Sequence, residues 1–103
     1  MDNFWQNIKR PIIALAPMED VTDTVFREVV LSVSDEDALN VVFTEFTSTD
    51  GLCHEKGRPK VIERLKVNAS EMQLLKSRNT KLVAQIWGSD PDKFRQSASS
   101  SRI

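Results

Sequence analysis

The chain has 103 residues and a formal net charge of −1, with 40% hydrophobic and 28% charged residues. That is the size of one small domain at most, with a globular composition and no overall basic footprint for nucleic acid or an anionic membrane. One cysteine, Cys53, excludes an internal disulfide and fits a reducing compartment. The N-terminal MDNFWQNIKRP lacks the pattern of a secretory signal, and no apolar run approaches the roughly 20 residues of a membrane span, so a cytoplasmic protein is expected.

The first apolar run, PIIALA (Pro11 to Ala16), is β-branched and nearly continuous, as in strands covered on both faces. Val21, Val25, Phe26, Val29, Val30 and Val33 then recur near every 3.6 residues, with Arg27 and Glu28 on the other side. This predicts a helix buried on its valine side, capped by Thr22 or Asp23 and ended between Ser32 and Asp37. NVVFTEF (Asn40 to Phe46) is a second strand. TSTDGLCHEKGRPKVIERLKVNA, with two glycines and a proline, is a long loop. Ser70 to Gln73 has the Ser-x-x-Gln pattern of a capping box and opens a helix through about Ser77. KLVAQIW (Lys81 to Trp87) is a third strand. Asp90 then caps a helix with Pro91 at its first position, and the serines from Ser97 to Ser101 are expected to stop it.

Repeated strand-helix units imply parallel strands joined by right-handed crossovers, an α/β architecture. Three such units cannot close a barrel, and a complete (β/α)₈ TIM barrel takes on the order of 250 residues. The chain therefore reads as the first three βα units of something larger, and a barrel of this kind would be left incomplete. Residues 1–97 form the partial barrel domain and 98–103 a serine-rich divergent tail.

In parallel α/β folds ligands sit beyond the C-terminal ends of the strands. There the first strand ends in Ala16-Pro17-Met18. Two readings stay open: a rigid turn with Met18 in a core, or a polarisable apolar contact for a flat aromatic ring. Gln85, an amide in an apolar run, either bonds to nearby backbone or meets the pyrimidine edge of a flavin or nucleobase. Glu45 ends the second strand and is expected at the same face, as a positioning group or as the partner of a helix N-terminus. With Glu19 and Asp20 it lacks the histidine or second strand carboxylate that a divalent metal site wants, so no metal is expected. Cys53 and His54 are sequence neighbours in a loop, which rarely makes a nucleophile-base pair. HEKGRPK, with Lys56, Arg58 and Lys60, is locally basic: a solvated loop, or a contact for RNA phosphate.

Taken together, ALAPMEDVTDTVFR (Ala14 to Arg27), TEFTSTDGL (Thr44 to Leu52) and LVAQIWGSDPDKF (Leu82 to Phe94) resemble the amino-terminal part of a tRNA-dihydrouridine synthase. The resemblance covers the chain to about Ser97. It implies an FMN-binding TIM barrel that reduces uridines of tRNA to 5,6-dihydrouridine, with NADPH reducing the flavin. It also implies that Ala16, Pro17 and Met18 cradle the isoalloxazine, that Gln85 hydrogen-bonds its pyrimidine portion, and that Glu45 lies near flavin and substrate uracil. The family's general acid is a cysteine in an Asn-x-Gly-Cys-Pro motif after the fourth strand. That motif is absent from these 103 residues, and Cys53 sits in a different loop. A chain truncated before its catalytic cysteine is thus expected; the alternative is a non-catalytic remnant of the flavin barrel. Other flavin barrels, of the dihydroorotate dehydrogenase or old-yellow-enzyme kind, share the fold but not this pairing of motifs.

Overall fold

The three apolar runs pair as parallel strands in the order β1 (Ala14–Leu15), β2 (Val41–Ser48) and β3 (Lys81–Trp87). The computed structural model describes residues 3–8, 10–35 and 37–100. Leu15 stands opposite Val42, and Val42 opposite Leu82. Paired positions share a face of a sheet, so these three form one apolar row. Helices α2 (Thr24–Val33) and α5 (Ala69–Ser77) cover that row, and Leu31, Leu39, Val42 and Leu75 are buried between the layers. The α/β class and the parallel order agree with the sequence pattern.

Several local expectations need correction. Helix α2 has the expected period, and Val30 of its apolar row packs against the core, but most of that row faces outward. Thr24, Arg27 and Leu31 are buried, whereas Val21, Val25, Val29 and Val33 are exposed, Val33 to 77%. Apolarity alone cannot orient this helix, because Arg27 finds a buried carboxylate partner, Glu71, on α5. Asp23, not Thr22, is the cap: its Oδ1 accepts the Phe26 N–H at 2.8 Å. The capping box at Ser70 does not form. Helix α5 starts at Ala69 with Asn68 in the cap position, and Ser70 Oγ instead donates to Glu28 at 2.9 Å.

The long loop is largely helical, with α3 (Thr49–Cys53), α4 (Arg58–Val61) and a 3₁₀ turn (Ile62–Leu65). A further turn, α1 (Phe4–Asn7), precedes the first strand and is capped by Asn3. Helix α6 (Pro91–Ser100) begins as expected, with Asp90 Oδ1 accepting the Asp92 N–H at 2.9 Å. It does not stop at the serines: Ser97 is buried inside it, and residues 101–103 of the proposed tail lie outside the described residues. Lys93 of α6 donates to Asp50 of α3 at 2.9 Å, and this hydrogen bond and charge hold its pKa above the ordinary lysine value.

Candidate functional site

The turn after β1 is built around one buried hydroxyl. Thr22 Oγ1 accepts the Met18 N–H at 2.9 Å and donates to the Met18 carbonyl at 3.1 Å. The same carbonyl accepts the N–H groups of Val21 and Thr22, each at 3.0 Å. The Met18 backbone is therefore fixed from within its own turn, while its side chain is exposed. Among the described residues the rigid turn is thus present and the Met18 side chain is not packed in a core. Asp20 holds a left-handed conformation at φ 62°, where Asp is among the better tolerated residues.

On β2 the ladder slips by one residue. Phe43 stands opposite Val83 and Phe46 opposite Gln85, so Thr44 and Glu45 together face Ala84. This is a β-bulge, a device that re-aims side chains near the end of a strand. Thr44 repairs the ladder, its Oγ1 accepting the Gln85 N–H at 2.9 Å. Beyond the bulge Phe46 and Ser48 lie opposite Gln85 and Trp87 and share their face. This face is the one opposite the α2 and α5 layer, because Leu82, on the alternate set, is in the core.

Three buried side-chain atoms here have no hydrogen-bond partner among the described residues: Gln85 Oε1, Glu45 Oε1 and Thr49 Oγ1. Buried polar atoms are normally satisfied, so such a group is short of a donor. Next to them a cavity of about 590 Å³ opens at the C-terminal ends of the strands, lined by Glu19, Phe46, Ser48, Val61, Arg64 and Trp87. Phe46 and Trp87 are exposed to 47% and 56% in its wall. The expected residues flank this lining without forming it: Met18 precedes Glu19, Glu45 precedes Phe46, and Gln85 lies two positions before Trp87 on the same strand face.

Glu19 and Asp20 go to Arg64, at 3.4 and 3.3 Å, rather than to one another. Among the described residues no group of three or more His, Cys, Asp or Glu converges as a metal site would require. Cys53 is half-buried against α6, with Sγ 3.6 Å from the Lys93 carbonyl, and His54 Nδ1 accepts the backbone N–H groups of Lys56 and Gly57. The imidazole is thus used in shaping a turn. Sequence reasoning overlooked Thr22 as the anchor of Met18, Thr44 as the partner of Gln85, and Arg64. The signal for Thr22 was its place four residues after Met18, within reach of one turn.

The remaining motif residues have structural work. Asp23 caps α2, Arg27 pairs with Glu71, and Gly88 leaves room for Thr49, whose Oγ1 would collide with a Cβ at position 88. Met18, Glu45 and Gln85 are left over, with an exposed thioether and two unpartnered oxygens.

A three-stranded parallel sheet covered by helices, with a cavity at the carboxyl ends of its strands, defines an α/β class. The model of the dihydrouridine synthase family matches residues 14–102, and the chain belongs to that family. It is 43% identical over 97 residues to a probable tRNA-dihydrouridine synthase of Staphylococcus aureus (strain COL), covering 94% of this chain and 26% of that protein. It is also 43% identical over 95 residues to the probable tRNA-dihydrouridine synthase 2 of Bacillus subtilis (strain 168), covering 92% and 26%. The chain thus spans about a quarter of the length of these relatives. No solved structure matches it. No helix among the described residues is long and apolar enough to cross a membrane.

Proposed function

We propose that the chain forms the first three βα units of the FMN-binding TIM barrel of a tRNA-dihydrouridine synthase. In that reading the whole protein is a cytoplasmic oxidoreductase that reduces uridine in tRNA to 5,6-dihydrouridine, with NADPH as reductant. The observation that carries it is Gln85 Oε1, buried near the end of β3 without a hydrogen-bond partner among the described residues. An amide held there lacks a ligand group that donates a hydrogen bond, as the pyrimidine portion of a flavin does.

The residues present fit such a cofactor. Ala16, Pro17 and Met18 would supply its floor, with Met18 offering a polarisable apolar contact on a backbone that Thr22 immobilises. Gln85 would orient the polar edge of the ring, its own backbone being fixed by Thr44. Glu45 would lie near the flavin and the uracil, its unpartnered Oε1 available as an acceptor. A flavin held there would supply the hydride chemistry. The chain's one cysteine faces α6 and is no candidate for the proton donor.

The test is a graft. Residues 1–97 replace the matching segment of the Bacillus subtilis relative, and the product is assayed for bound flavin by visible absorption and for dihydrouridine in a tRNA transcript. Flavin retention and product formation are expected, with Gln85→Leu losing flavin. A graft that folds but holds no flavin would sink the reading. The 103-residue chain alone is expected to bind FMN weakly, if at all; submicromolar affinity by fluorescence quenching would overturn that expectation.

A further inference from the structure

The stretch from His54 to Lys66 carries five cations against two acids, in a chain whose net charge is −1. Two of those cations have fixed tasks. Arg58 donates to the Leu52 carbonyl at 3.1 Å, joining α4 to α3, and Arg64 holds Glu19 and Asp20 at the cavity edge. Lys56 and Lys60 are exposed, and their ammonium groups have no hydrogen bond or ion pair among the described residues. Their display is nonetheless ordered. His54 fixes the turn that carries Lys56, by accepting the N–H groups of Lys56 at 3.2 Å and Gly57 at 3.0 Å. Lys60 lies on α4 directly before Val61, which with Arg64 lines the cavity beside the exposed rings of Phe46 and Trp87. Cations bordering exposed aromatic rings are what single-stranded nucleic acid binds, phosphates on the charges and bases on the rings.

We propose that Lys56 and Lys60 form a phosphate-contact ridge that lays an RNA strand along the mouth of the cavity, with Arg64 marking its inner edge. The ridge gives the substrate of the preceding section a docking surface on this chain, and so rests on that reading. The acids of the stretch, Glu55 and Glu63, are exposed and leave the ridge a net positive charge.

The test uses the full 103-residue chain and a fluorescein-labelled, unstructured RNA, followed by anisotropy across a salt titration with a tRNA transcript as competitor. Lys56→Ala/Lys60→Ala is compared with Lys76→Ala/Lys81→Ala, which removes the same charge beside the N-terminal end of β3; circular dichroism checks that both remain folded. Loss of two phosphate contacts should weaken binding and flatten the log-log salt slope by about 1.4, at roughly 0.7 per contact on a single strand. The control pair should leave the slope unchanged. Absence of RNA binding by the parent chain at low salt overturns the proposal. So does an equal loss from both pairs, or lysine-dependent capture of phosphatidylserine vesicles without RNA. The flavin reading is judged separately by the graft, so ridge and flavin site can fail independently.

Discussion

Arg27 and Glu71, 44 residues apart, form a bidentate ion pair with no solvent exposure on either side chain: Nε to Oε2 at 2.7 Å and Nη2 to Oε1 at 2.8 Å. The guanidinium also donates to the carbonyls of Thr22 and Lys66, and Thr24 Oγ1 donates to Glu71 Oε1. One buried cluster therefore joins the turn after Met18, helix α2 and the entry to α5. Desolvating two ions costs several kcal/mol each, which only such complete hydrogen bonding offsets.

Removing one partner strands the other charge. Glu71→Ala or Arg27→Ala is expected to destabilise the fold by about 3–5 kcal/mol in urea unfolding. Arg27→Met/Glu71→Leu, which removes both charges at similar volume, should cost less than either single change. A double variant as unstable as the sum of the singles would show that the pair contributes by packing alone.

Thr44→Val keeps the shape of the side chain but leaves the Gln85 N–H without its acceptor at the bulge. A lost partner for a buried donor costs about 1–3 kcal/mol. Hydrogen exchange should accelerate at the Gln85 amide more than at Leu82 or Val83 in the regular ladder. Uniform acceleration along β3 would instead mean that the whole strand had loosened.

Thr22→Val should similarly free the turn after β1, at a cost of about 1–3 kcal/mol, with faster exchange at the Met18 amide. Thr22→Ser retains the hydroxyl and should preserve that protection. If serine fails as badly as valine, the methyl group and not the hydrogen bonds holds the turn.

At position 88 any side chain meets Thr49, whose Oγ1 would overlap a new Cβ and whose Cβ and Cγ2 would lie 3.2 and 3.5 Å from it. Gly88→Ala is expected to cost about 1–3 kcal/mol by overpacking. Thr49→Ala removes the nearest atom, so the double variant should recover part of the loss in thermal melting. Strict additivity of the two changes would argue that they do not touch.

Much of the architecture was legible in the sequence because strand runs and the Asp90-Pro91 helix start depend on local chemistry. β3 falls on Lys81–Trp87, as read from its β-branched run, and β2 extends only slightly past its own. β1 shrinks to two residues, flanked closely by prolines that cannot donate to a ladder. The orientation of α2 was not legible. Its valine row makes the more hydrophobic face, yet the face that packs is the one on which Arg27 meets a carboxylate 44 residues away. Nor could spacing reveal the bulge at Thr44 and Glu45, since a register slip exists only between two strands.

The same division runs through the candidate site. Residue types near the strand ends were legible from the chain alone, with Pro17 and Met18 after β1 and Gln85 late in β3, whereas Glu45, read as the end of β2, stands three residues before it. Their surroundings came from folding. It exposed the Met18 side chain, pinned that backbone to Thr22, and left oxygens of Gln85 and Glu45 buried without partners among the described residues. The reason is physical: residue type and strand ends follow from neighbours in sequence, whereas burial and satisfaction of a polar group depend on atoms brought in by folding.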